Sequence, residues 1–116
     1  MMNDSVVEAP TQTLQSSKPG TIKIDYYNVK KVALTLRALN HKLRQQLIKL
    51  IDEEKKITVT EIYVRLRLEQ SVASQHLSIL RKAGIVNTER DGKFIYYTIN
   101  HKRIEEIGQF VQNLIG

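Results

Sequence analysis

The chain has 116 residues, enough for one domain with its own core and too few for two. It holds 41% hydrophobic residues and a formal net charge of +6, a balance that favours an anionic partner, with nucleic acid the first candidate. The absence of cysteine excludes a disulfide scaffold, a zinc finger, a thiol nucleophile and a thiol-based redox or arsenic sensor.

Residues 1–20 are polar, rich in Ser, Thr and Gln, and end in Pro19 and Gly20, the composition expected of a flexible arm ahead of a folded domain at 21–116. Asp4, Glu8 and Lys18 give this arm a net negative charge, so the remainder is more basic than the whole. The N-terminus lacks the charged-then-apolar pattern of a signal peptide. No apolar run approaches the roughly 18 residues that span a membrane. A cytoplasmic location is the expectation by elimination, with no membrane partner.

From about Ile24, Tyr26, Val29, Val32, Ala33, Leu36 and Leu39 recur at spacings of three and four, which predicts an amphipathic helix. Asn40 is placed to cap a second helix that buries Leu43, Leu47, Leu50 and Ile51. A third helix starts at Thr58, where Thr58 and Glu61 match the capping box. Ile62 and Leu66 face the core, and Arg67, Leu68 and Glu69 form a tight connection. A fourth helix runs from about Gln70 to Ala83, with Gly84 as its left-handed C′ residue.

The period then changes from helical to alternating. Val86, Thr88 and Arg90 alternate with Asn87 and Glu89, and a second run spans Lys93 to Ile99. Asp91 and Gly92 between them predict a hairpin with a type I′ turn. A last helix, from Lys102 to Ile115, is expected to bury Ile104, Ile107, Val111 and Leu114 along one face. The predicted fold is mainly α with a β-hairpin, in the order ααααββα: a winged helix-turn-helix.

The third and fourth helices and their short turn form a helix-turn-helix candidate, whose second helix would enter the major groove. In the fourth helix Ala73, Leu77, Leu80 and Gly84 form a narrow apolar stripe. Ser71, Ser74, Gln75, Ser78 and Lys82 lie opposite, with no acid among them. Short hydroxyls and an amide can approach base edges, Gln70 can reach adenine and Val72 a thymine methyl. Arg81 and Lys82 are placed for phosphates. An ordinary solvated helix carries more Glu and Lys, so this face favours double-stranded DNA. Arg90 and Lys93 flank the hairpin tip, where a basic wing can meet phosphates or the minor groove. Tyr96 and Tyr97 read as packing residues, since an RNA-stacking platform needs a broader sheet.

The first and last helices are more apolar than a three-helix core requires. Tyr26, Val29, Val32 and Leu36, with Ile107, Val111 and Leu114, are therefore the candidate interface of a homodimer, which would present two reading helices to two half-sites.

Three stretches resemble the ArsR/SmtB family of winged-helix repressors. LRALNHKLRQQLIKLI (36–51) is similar to the family's second-helix pattern, with Arg44 at its Arg position. LEQSVASQHLSILRKAGIV (68–86) is close to the family's reading-helix motif and is the most specific of the three. ERDGKFIYYTI (89–99) is similar to its wing. The resemblance covers about residues 25–116. It implies a homodimer joined by the first and last helices, base readout by Gln70, Ser71, Ser74 and Gln75, and repression released by an effector. It also implies that His76 braces the reading helix.

The family's metal sites do not carry over. The arsenic-type site needs cysteines where this chain has ITVTEIYVRL. The zinc-type site needs Asp and His where it has His101, Lys102 and Arg103, with Leu114 near a later ligand position. His41, His76 and His101 show no ligand spacing, so no metal and no cofactor are expected, and the effector is unknown. His41 and Lys42 replace the family's Asp-Pro. Arg67 stands where Gly is common, and a positive φ there would cost on the order of 1 kcal/mol. Glu69 replaces Ser and suits the helix dipole.

The competing reading is a winged-helix module that binds protein instead of DNA. An enzyme is not expected. There is no nucleophile–base set and no Gly-rich phosphate loop, and Glu105 and Glu106 are adjacent on a helix and face different ways.

Overall fold

The structure, a computed structural model, describes residues 19–116, so the expected arm at 1–20 lies outside the described residues apart from Pro19 and Gly20. The chain divides into two compact units, one ending at Arg37 and one spanning Ala38–Gly116.

Helix α1 (Tyr26–Leu39), which lies in the first unit as far as Arg37, begins two residues later than its apolar period suggests. The reason is Asp25, whose Oδ1 accepts from the Tyr27 and Asn28 amides at 3.1 and 3.3 Å, an N-cap that ends the extended approach. Tyr26, Tyr27, Val29 and Leu34 are exposed on this helix, while Val32 and Leu36 are half-buried.

In the second unit, α2 (Lys42–Glu54) is capped by His41 and not by Asn40. The acceptor must reach the second helical amide, and His41 Nδ1 does so, accepting from Leu43 N at 3.1 Å. A two-residue strand β1 (Ile57–Thr58), absent from the expected order, precedes α3 (Val59–Leu66). The capping box is formed in full, with Glu61 N donating to Thr58 Oγ1 and Thr58 N donating to Glu61 Oε1, both at 3.2 Å. Arg67 is left-handed at φ 56° and ψ 48°, as its Gly-like position required, and carries that strain of about 1 kcal/mol.

Helix α4 (Gln70–Lys82) follows. It ends where Ile85 N donates to Leu80 O and Gly84 N to Arg81 O, with Gly84 at φ 76°, a Schellman closure. Strands β2 (Val86–Asp91) and β3 (Phe94–Ile99) form the hairpin. Asp91 pairs with Phe94, so the two turn residues are Gly92 and Lys93, one step later than the expected Asp91 and Gly92. A type I′ turn needs positive φ at both positions. Only Gly92 has it, at 65°, which is the demand of a turn with Gly at its first central residue. The sheet order is β1-β3-β2, antiparallel throughout, with Ile57 opposite Tyr97 and Thr58 opposite Tyr96. Helix α5 (His101–Ile115) starts on Asn100, whose Oδ1 accepts from Arg103 N at 3.2 Å.

Leu47, Ile51, Ile57, Ile62, Leu77, Leu80, Ile85 and Val86 are fully buried and form the core of this unit. Burial of each such side chain is worth about 1.5–3 kcal/mol. Tyr97, Ile99, Ile104 and Ile107 close it from the sheet and α5. Two expectations differ. Leu43 is only half-buried while its neighbour Arg44 is buried, and Leu114 is 71% exposed because the last turns of α5 run past the core. Among the described residues no helix is long and apolar enough to cross a membrane.

Candidate nucleic-acid interface

Helix α4 is sorted as its sequence predicts. Ala73, Leu77 and Leu80 are buried at 0% exposure, and Gln70, Ser71, Ser74, Gln75, Ser78, Arg81 and Lys82 are exposed. Val72 is half-buried at the helix margin. The outward face therefore offers hydroxyls, amides and cations, and no carboxylate of α4 opposes them.

This face is held at two places besides its apolar stripe, and the turn ahead of it sets where it starts. At its start, the left-handed Arg67 turns the chain out of α3, and Leu68 N donates to Tyr63 O at 2.9 Å. At its middle, Arg44 reaches across from α2: Nε donates to Ala38 O at 2.7 Å and Nη1 to His76 Nδ1 at 3.1 Å. A guanidinium has no acceptor, so His76 receives on Nδ1 and stands as the neutral Nε2–H tautomer. Burial, then the neighbouring His41 and Arg44, push the His76 pKa below its ordinary 6.5. At its end, Arg103 Nε donates to Ala83 O at 3.2 Å and Asn100 Nδ2 to Gly84 O at 3.0 Å. A cation there also suits the negative end of the helix dipole.

The His41 and His76 rings lie 4.8 Å apart, a proximity that sequence spacing does not reveal. Both Nδ1 atoms are already acceptors, from Leu43 N and from Arg44, so the pair is built as a hydrogen-bonded brace. Among the described residues no three His, Cys, Asp or Glu side chains converge on a common point.

In the hairpin, Arg90 and Lys93 are exposed. The register sets Arg90 opposite Ile95, on the sheet face that carries Val86 and Ile99, while Glu89 and Asp91 share the other face with Tyr96 and Phe94. The exposure of the α4 face and of Arg90 and Lys93 follows from the sequence pattern, whereas the residues that hold these elements do not: the contacts of Arg44, Asn100 and Arg103, and Lys56. Asn100 was findable as an N-cap ahead of the last helix. The others lie far in sequence from what they touch.

Helices α3 and α4 with the following hairpin make the second unit a winged helix-turn-helix. The sequence profile described as "Bacterial regulatory protein, arsR family" matches residues 41–88. The transcriptional activator HlyU of Vibrio cholerae is 33% identical over 88 residues, covering 75% of this chain and 80% of that protein. The transcriptional repressor PagR of Bacillus anthracis is 34% identical over 85 residues, covering 73% and 85%. A solution structure from Mycobacterium bovis, described as a homodimeric winged helix-turn-helix DNA-binding domain, superposes with a TM-score of 0.65 at 23% identity, over 84% of this chain and 90% of that one. The chain belongs to the arsR family of bacterial regulatory proteins, whose members are transcriptional regulators.

Proposed function

We propose that the chain is a homodimeric repressor that recognises a specific double-stranded DNA sequence and operates without the metal ligands used by the metal-sensing members of its family. Gln70, Ser71, Val72, Ser74, Gln75 and Ser78 read base edges, Arg81 and Lys82 hold phosphates beside them, and Arg90 and Lys93 carry the wing to the backbone. One observation carries this reading. The exposed face of α4 is free of carboxylates, rich in short hydrogen-bonding groups and anchored at its middle and C-terminal end by buried or half-buried partners. Rigid support is what base discrimination needs, because a mobile donor pairs with any acceptor.

The dimer rests on two apolar surfaces. Tyr26 and Val29 on α1 are 71% and 53% exposed, and Leu114 on α5 is 71% exposed beside the half-buried Val111. A second copy covers both, with Val32, Leu36 and Ile107 behind them. PagR is named a repressor, which favours blocking of transcription, while the name of HlyU supports activation as a second reading.

The test is an anisotropy titration of the full chain against duplex DNA from upstream of its own gene and a scrambled duplex, at two salt concentrations. The proposal expects selective binding that weakens steeply with salt. Selection of no sequence from a random pool, with a protein partner captured through α4, would replace it with the protein-binding module.

A further inference from the structure

The hairpin's own charges cancel: Glu89 and Asp91 against Arg90 and Lys93. A neutral wing is a poor ligand for a polyanion, since two carboxylates within a Debye length of the strand ends oppose the approach. The structure brings a cation to them from elsewhere in the chain. Lys56 Nζ lies 3.4 Å from Asp91 Oδ2 and 3.6 Å from Glu89 Oε1, and 4.9 Å from the centre of the Tyr96 ring between them. All three partners project from the same sheet face, opposite Arg90. The wing is thereby sorted into a face whose two carboxylates are partly offset by one ammonium and a face that retains the Arg90 guanidinium.

The backbone that delivers Lys56 is unusual. Lys55, the residue ending α2, sits at φ 70° and ψ −44°, close to the strained γ-turn region that non-glycine residues avoid. This turn sends the chain from α2 directly into β1, whose pairing of Ile57 with Tyr97 and of Thr58 with Tyr96 sets Lys56 beside the hairpin. A strained residue, a two-residue strand and a bifurcated ion pair all act on one side chain.

We propose that Lys56 is a positioning residue for DNA binding, offsetting one of the two carboxylate charges of Glu89 and Asp91 so that the wing, neutral by itself, meets the phosphate backbone as a net cation. The inference rests on the DNA-binding reading above. It assigns to Lys56 no phosphate of its own, because its ammonium is committed to the two carboxylates.

The test is a cycle of four full-length proteins on mixed-sequence duplex DNA: the natural chain, K56Q, E89Q/D91N, and the triple variant. Lys56→Gln should weaken binding about fivefold in the natural background, and adding E89Q/D91N to it should restore binding to at least the natural level. Lys56→Arg should retain binding, which separates charge from fold. A triple variant that binds no better than K56Q would show that the two carboxylates do not oppose DNA and would overturn the proposal, as would no loss from Lys56→Gln in the natural background. Absence of any salt-sensitive binding by the natural chain would overturn the DNA-binding reading and this inference with it.

Discussion

Helix α4 and the wing are held by opposite means. Helix α4 is tied down from inside: an apolar stripe at 0% exposure, a buried Arg44 on His76, and Arg103 and Asn100 on its C-terminal carbonyls. The wing beyond Thr88 has no such support. Its tip is two exposed strand ends with Phe94 and Ile95 half in water, and its ties are ion pairs to Lys56 whose members are 42–67% exposed. Buried ties hardly respond to salt, whereas exposed pairs are individually weak and screened. Under the proposed function this contrast divides the work between a rigid element for sequence and a salt-sensitive element for affinity.

The comparison breaks first at Arg44. Arg44→Met leaves the Ala38 carbonyl and His76 Nδ1 without this donor, and should cost about 2–3 kcal/mol of stability. A thermal melt should then fall by roughly 10 °C or more. A change within a degree or two would mean that α4 does not depend on this brace. Next comes Gly84, where an added Cβ would meet Arg103 Nε at 3.3 Å on a backbone at φ 76°. Gly84→Ala should cost about 1–2 kcal/mol in denaturant unfolding. Arg67→Gly works in the other direction, relieving left-handed strain, and should gain up to about 1 kcal/mol.

Acidification sharpens the contrast. The His76 pKa is depressed in the folded chain, so the unfolded chain binds the proton more readily. The stabilisation by neutral His76 is complete above the ordinary 6.5 and is lost as pH falls through the depressed folded value. His76→Gln should flatten that slope in melts taken across this window. For the wing, replacing Arg90 and Lys93 by Gln should leave stability nearly unchanged. The dependence of log K on log salt should become shallower by about one unit per lost phosphate contact. An unchanged slope would place the wing away from DNA.

Much of this was legible in the sequence because it is local. The capping box at Thr58 and Glu61, the apolar stripe of α4 and its Gly84 terminus each depend on residues within a few positions. Strand β1 was not legible: two residues have no period, and the partners Tyr96 and Tyr97 lie some forty positions away. The hairpin turn slipped by one residue because Asp91-Gly92 and Gly92-Lys93 are both turn-forming pairs, and the register with Phe94 decides between them. Asn40 and His41 are both cap-competent in sequence, and only the start of α2 at Lys42 selects His41. On α5, the helical period placed Leu114 on the apolar stripe without showing that the core ends before it. Of the candidate interface, the exposed face of α4 followed from helical geometry, whereas Lys56, Arg44 and Arg103 act across chain separations that no pattern within one helix encodes.

Whether the outer face of α4 reads bases is decided by the specificity ratio of Gln70→Ala and Ser74→Ala variants. Each would be titrated against the duplex that the natural chain selects and against a scrambled duplex at one salt concentration. Base reading requires that affinity for the selected duplex fall by about tenfold, as loss of a roughly 1–3 kcal/mol base contact implies, while affinity for the scrambled duplex barely moves. Equal losses on both duplexes would contradict it and assign Gln70 and Ser74 to the backbone.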